Sequence, residues 1–181
     1  MAKLLIVYGT TEGQTRKIAE RMAQRARDTG HEVALHDATA LPGDIEPAAF
    51  SAVIVAGSVH IGRHQSSIDH FVRTHRAALE NRPSALVSVS LSAAGDEHDR
   101  QDARECAEHF LAGTGWRPTA IHLAAGAFRF SQYDFFKRWI MRRIAREKGT
   151  PSDTSQDYEF TDWLALDGFV DDFLAGAGPG R

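Results

Sequence analysis

The stretch from Leu4 to Ala26 leaves this chain few options. Leu4-Leu5-Ile6-Val7 is a short, branched, apolar run, the pattern of a strand covered on both faces. A polar loop of small residues follows, Tyr8-Gly9-Thr10-Thr11-Glu12-Gly13-Gln14-Thr15-Arg16-Lys17, and then Ile18, Ala19, Met22 and Ala26 recur at helical spacing. Strand, tight loop, helix is the predicted order. A helix that starts this way leaves its first backbone N–H groups without intrahelical partners, and its dipole favours an anion there. Thr10, Thr11 and Thr15 add hydroxyl donors, and Gly13 lets a ligand approach the backbone. The loop calls for a phosphate monoester, with Glu12 and Gln14 inside the same turn. The alternative is an ordinary strand–turn–helix whose threonines cap the helix.

Two other phosphate loops are absent. The sequence has no Gly-x-x-x-x-Gly-Lys-Ser/Thr and no Gly-x-Gly-x-x-Gly. What it has, Thr10-x-x-Gly13-x-Thr15, resembles the FMN-phosphate loop of flavodoxins, with Glu12 where those proteins usually carry a threonine. A carboxylate beside a phosphate dianion repels it, so Glu12 is expected to point away or to cap the helix.

With 181 residues, 43% of them hydrophobic, the chain suits one domain with a full core. No apolar stretch is long enough to span a bilayer, and Lys3 runs straight into the first strand, so no secretory leader is expected. The single cysteine, Cys106, allows no internal disulfide and fits a reducing cytosol. It shares helical spacing with Ala103, Ala107 and Phe110, which reads as an inert buried thiol. The nine histidines form no ligand cluster, so no metal is expected. A net charge of −3 gives no reason to expect nucleic acid.

Further along, strands and helices alternate. His31–Asp37 alternates like a second strand, and Ala52–Gly57 is a continuous apolar third. A turn at Ser58–Gln65 leads into a helix carrying Ile68, Phe71, Val72, His75 and Leu79. Ala85–Leu91 is a fourth strand, a helix starts near Arg100, and Thr119–Ala127 is a fifth strand. A last helix starts near Thr161. Five such alternations predict a doubly wound parallel sheet in the flavodoxin-like order 2-1-3-4-5. The expected domain is a single unit over residues 1–176, with a frayed tail at 177–181.

In such sheets ligands bind beyond the carboxyl ends of the strands, where the strand order reverses. Three segments should meet there: residues 10–15, 58–64 and 90–95. The first holds phosphate. Ser58, Val59, His60, Ile61 and Gly62 form one wall for a flat ring, and Ser90, Leu91, Ser92 and Gly95 form the other. His60 reads equally as a ring contact or as a surface histidine, and the two serines equally as ligand donors or turn formers. Neither wall contains Trp, Tyr or Phe. An open ring face suits a substrate that must stack, and suits an electron carrier less well.

Residues 128–160 break the alternation and read as a helical insertion after or within the fifth strand. Between 128 and 148 lie seven basic residues, Arg129, Lys137, Arg138, Arg142, Arg143, Arg146 and Lys148, against Asp134 and Glu147. Tyr133, Phe135, Phe136, Trp139, Ile140 and Ile144 share about half a helical wheel. An aromatic face with a basic margin suits a membrane surface or the wall of a pocket for an apolar anion. A helix packed on the domain with a solvated charged face is the plain alternative.

The ordered set of blocks Gly9–Ala19, Gly57-Ser58-Val59-His60-Ile61-Gly62-Arg63-His64, Trp116-Arg117-Pro118, Ala125-Gly126-Ala127-Phe128-Arg129-Phe130 and Tyr158-Glu159-Phe160-Thr161-Asp162-Trp163 resembles the flavodoxin-like protoporphyrinogen oxidases. The resemblance spans nearly the whole chain, the insertion included. It implies FMN as cofactor, protoporphyrinogen IX as substrate in heme biosynthesis, and menaquinone or another quinone as acceptor. It also implies a cytoplasmic protein in peripheral contact with the inner face of the cell membrane, here through residues 133–148. On that reading the flavin carries the redox step and no residue is an obvious general base. Arg129, Lys137, Arg138 and Arg143 are the candidates for pairing with substrate propionates, and Phe136 and Trp139 for meeting the macrocycle or the membrane. The rival readings are a flavodoxin-type electron carrier, a general FMN-dependent NAD(P)H:quinone oxidoreductase, and a binding module that has lost its cofactor.

Overall fold

The computed structural model describes residues 1–43, 45–128 and 158–177. Strand β1 (Lys3–Gly9) sits inside a parallel sheet, between β2 (Glu32–Asp37) and β3 (Ala52–His60). Beyond β3 come β5 (Ser84–Ser90) and β6 (Ala120–Ala125), so the five long strands run β2-β1-β3-β5-β6. This is the doubly wound order expected from the alternation. Two features add to it. Residues Arg63–His64 form β4, which folds back antiparallel on the end of β3. A separate ribbon pairs β7 (Ala127–Phe128) with β8 (Tyr158–Glu159).

Among the described residues four helices cover the sheet: α1 (Gln14–Asp28), α2 (Ser66–Glu80), α3 (Glu97–Thr114) and α4 (Trp163–Gly176). Period-two alternation along the strands builds two cores. Leu4, Ile6 and Ile54 face α1 and α4, where they meet Ile18, Met22, Leu166 and Val170. Leu5, Val7 and Val55 face α2 and α3, where they meet Ile68, Phe71 and Phe110. Because both faces are buried, the central strands read as unbroken apolar runs. Two carboxylate–guanidinium pairs, Arg21–Asp167 and Arg25–Asp171, lace α1 to α4 along the surface.

Several boundaries differ from the sequence reading. The expected turn at 58–65 is a hairpin, because β3 runs on to His60 before reversing. The helix expected near Arg100 starts at Glu97, where Asp96 and Asp99 close a capping box. The fifth strand stops at Ala125. The last helix starts at Trp163, with the Asp162 carboxylate accepting from the Ala165 N–H at 2.9 Å. Ala177 is packed into the core rather than frayed. The insertion's candidate residues Arg129, Phe136, Lys137, Arg138, Trp139 and Arg143 lie outside the described residues, as do residues 178–181.

One histidine is built into the core rather than the surface. The His64 ring packs on Phe110 with ring centroids 4.5 Å apart, and its Nε2 sits 3.0 Å from the Ser88 hydroxyl. Its Nδ1 is buried without a hydrogen-bond partner. Burial pushes this imidazole down to about 4, from an ordinary value near 6.5. Between those two values the unfolded chain holds a proton that the folded chain does not. Stability should therefore fall as pH drops from 6.5 towards 4, with a slope approaching about 1.4 kcal/mol per pH unit from this group. Urea midpoints measured from pH 7 to 4.5 should show that slope in the native protein and a shallower one in H64Q.

Candidate functional site

The carboxyl ends of the strands are brought level by their register. Gly9 pairs with Gly57, Ser58 with Val89, and Ser90 with Ala125. The chain leaves β1 towards one face of the sheet and β3 towards the other, so a crevice opens between them. A cleft of about 370 Å³ occupies it, within the usual size of a small-molecule site.

Its floor is the start of α1. Gly13 is the helix N-cap and holds a left-handed backbone with φ at +94°, which glycine adopts without strain. Its N–H donates to the Thr10 hydroxyl at 2.8 Å, which closes the loop. No side chain caps the helix, and its first turn holds no acidic residue. Those free N–H groups and the helix dipole make an anion site. Thr10, Thr11, Glu12, Gln14 and Thr15 all line the cleft. The Glu12 side chain does not cap the helix, which was one of the two placements expected for it. The Thr15 hydroxyl is buried and has no hydrogen-bond partner.

The first wall is the β3–β4 hairpin, from which Ser58, Val59, His60 and Ile61 line the cleft. The second is the end of β5, which contributes Val89, Ser90 and Leu91. The Ser90 hydroxyl accepts from the Ala93 N–H at 3.2 Å and starts a tight turn over Ser92–Ala94. That turn carries Ser92 out of the cleft into an adjoining hollow, where Gly62 also lies. Gly95 is remote from the cleft and packs against Asp99 of the α3 cap. Gly62, Ser92 and Gly95 are thus not among the residues that line the cleft, whereas Gly13 is the N-cap of the helix at its floor. Among the described residues no Trp, Tyr or Phe lines the cleft.

Sequence reading undervalued four residues. Gln65 accepts from the Ser58 N–H at 3.1 Å and donates to the Thr11 hydroxyl at 3.0 Å and to the Ser58 hydroxyl. One amide thus ties the phosphate loop to the hairpin wall. Thr161 does the same on the other side. It accepts from Gln14 Nε2 at 2.9 Å and donates to the Ala125 carbonyl at 2.7 Å. Gly126 and Ala127 complete the lining. Both belong to the block Ala125–Phe130, in which only Arg129 had been given a role.

Residues 5–155 match the flavodoxin domain family. The quinone-linked protoporphyrinogen IX dehydrogenase of Escherichia coli K12 is 30% identical over 170 residues, which cover 93% of this chain and 92% of that protein. The chain belongs to the flavodoxin-domain protoporphyrinogen IX dehydrogenase family. The Leishmania major protein of the same name is 28% identical over 96% of this chain and 75% of its own length. The fold is also that of oxidised flavodoxin 1 from Bacillus cereus, at a TM-score of 0.57 and 14% identity over 96% of this chain and 97% of that one. A flavodoxin variant from Pseudomonas aeruginosa aligns at a TM-score of 0.59 and 15% identity over 98% and 99%.

A flavodoxin domain implies FMN, and the floor of the cleft fits its phosphate. An unpartnered buried hydroxyl, an uncapped helix start and an N-cap with no side chain all face the same small volume. In T15V the methyl group replaces a hydroxyl that has no partner, so the cofactor-free protein should melt at or above the native temperature. Its Kd for FMN should rise about ten- to a hundredfold, the worth of one hydrogen bond to a charged group. Riboflavin, which lacks the phosphate, should bind native and variant alike in the same flavin-fluorescence titration.

Proposed function

We propose that this chain oxidises protoporphyrinogen IX to protoporphyrin IX, with FMN as cofactor and menaquinone as the electron acceptor. The observation that carries the reading is the match to protoporphyrinogen IX dehydrogenases over 93% of the chain, in a protein whose cleft is built for a phosphate-bearing ligand. When bound, FMN supplies hydride acceptance from a bridging carbon and return of the electron pair to a quinone. Three such oxidations make the macrocycle aromatic, each matched by one quinone becoming a hydroquinone.

The protein's own share is binding and placement. Thr10, Thr11, Gln14, Thr15 and the N–H groups opening α1 hold the phosphate, and Gly13 lets it approach. Ser58, Val59 and His60 on one wall and Ser90 and Leu91 on the other flank the ring. Gln65 and Thr161 fix those walls relative to the phosphate, which matters because misplacement of about 1 Å is expensive in such reactions. Val59, Val89, Leu91 and Ala127 give the cleft an apolar lining suited to a macrocycle that water does not solvate well. Among the described residues neither wall carries an aromatic clamp, which leaves room for that macrocycle and argues against a pure electron carrier.

The β7–β8 ribbon, whose residues flank 129–157 in sequence, lies beside the cleft, since Ala127 lines it and Glu159 pairs opposite Ala127. That placement of the ribbon supports a reading in which the intervening segment contacts substrate. Arg129, Lys137, Arg138 and Arg143 would pair with the propionates, and Phe136 and Trp139 would meet the macrocycle or a membrane surface. No helix among the described residues is long and apolar enough to cross a membrane. Contact with the cytoplasmic face of a membrane through residues 133–148 rests on their aromatic and basic pattern.

Anaerobic addition of protoporphyrinogen to the FMN-loaded protein should bleach the flavin absorbance, and a soluble menaquinone analogue should restore it. Bleaching by NADH instead would favour a general quinone reductase. In the R138A/R143A double variant the KM for protoporphyrinogen should rise at least tenfold while FMN stays bound; native kinetics would remove both arginines from the substrate site.

A further inference from the structure

Ile61 has a conformation and an exposure that burial does not account for. It occupies, with Gly62, the two-residue tip of the β3–β4 hairpin, and both backbones are left-handed, φ +49° and +73°. Such tips favour Asn, Asp or Gly at the first position. A β-branched side chain there is strained, because its Cβ crowds the backbone. Among the described residues Ile61 is the only non-glycine with positive φ. It is also 89% exposed, so no packing into the core offsets the strain. Four large apolar side chains stand exposed among the described residues, and of these only Ile61 lines the cleft. It also lines the adjoining hollow of about 540 Å³, which shares Val59, Ser90 and Leu91 with the cleft. The side chain thus stands on the ridge between two partly apolar concavities.

Backbone strain held at the rim of a site, on a side chain with nothing of its own to bury against, fits a residue kept for what it touches when the site fills. We propose that Ile61 is a specificity-determining contact for the apolar macrocycle, and that its branched side chain is buried by the bound substrate rather than by the protein. This rests on the reading of the cleft as a porphyrinogen site. Ile61, at the tip of the β3–β4 hairpin, is then distinct from the residues proposed to hold the cofactor phosphate, which belong to the loop after β1 and the first turn of α1.

The test uses the full-length, FMN-loaded protein and its I61N, I61G and I61V variants. Asn and Gly relieve the strain, so both should melt about 2–4 °C higher than native. Their kcat/KM for protoporphyrinogen should fall about tenfold, through KM, which is the worth of one branched side chain no longer removed from water. The Kd for FMN should stay within threefold of native, and I61V should keep near-native kinetics. Native KM in I61N and I61G overturns the proposal. So does a Kd for FMN that rises in step with KM, because the side chain would then serve the cofactor. A lower melting temperature in both variants overturns the strain argument. If the native protein itself does not oxidise protoporphyrinogen, the functional reading fails and this inference fails with it. Native turnover with unchanged variants counts against Ile61 alone.

Discussion

A helix start without a cap is unstable on its own terms, and the rest of this structure is arranged around one. The first turn of α1 has no side chain across its N–H groups, and the hydroxyl of Thr15 is buried beside them with nothing to donate to. Most buried polar groups are paired, because a desolvated hydroxyl left alone costs about 1–3 kcal/mol. The sheet does not relieve this deficit; it frames it. β1 ends at the crevice, β3 runs three residues past it to His60, and their following helices depart to opposite faces. An anion with several acceptor oxygens satisfies the whole cluster at once.

The walls of the cleft are tied to that floor by two side chains from distant parts of the chain. Gln65 joins Thr11 to Ser58, and Thr161 joins Gln14 to the end of β6. Neither touches more than one element by chance of sequence neighbourhood. Each converts a loop, which alone would be mobile, into an extension of the sheet. The ion pair Lys17–Glu159 and the Trp163 indole donating to Glu159 strengthen the second tie on the solvent side. Consequently the β7–β8 ribbon, the start of α4 and the phosphate loop belong to one bonded unit.

Much of this was legible in the residues. The apolar runs Leu4–Val7 and Ala52–Gly57 are unbroken because both faces of a central strand are buried, and that physical reason is local enough to read from sequence. The phosphate loop was legible for a related reason: the threonines and Gly13 sit at fixed offsets from a helix start. The failures have physical causes too. Ser92 and Gly95 follow the fourth strand in sequence, but Ser90 folds its own hydroxyl back on Ala93 and turns the chain away. The hairpin at 60–63 was missed because Ile is a poor residue for its tip, so the usual turn signal was absent. Gln65 and Thr161 act across 54 and 147 residues of sequence, and no local pattern encodes a partner at that distance.

Glu12 marks where the loop departs from the flavodoxin pattern. A threonine at that position would give one more donor to a phosphate; this chain carries Glu12 there instead, in the loop that lines the cleft. A carrier that diffuses between partners needs its flavin held as tightly as possible and clamped between rings. An enzyme that is approached by a large apolar substrate has other demands: one face of the ring must stay open, and the rim must offer apolar surface. Among the described residues, the lack of aromatic side chains along the cleft and the strained apolar tip at Ile61 depart from the tight-clamp solution in the same direction. They are coherent as the features of a flavodoxin fold adapted to meet a substrate at its cofactor rather than to conceal the cofactor during transport.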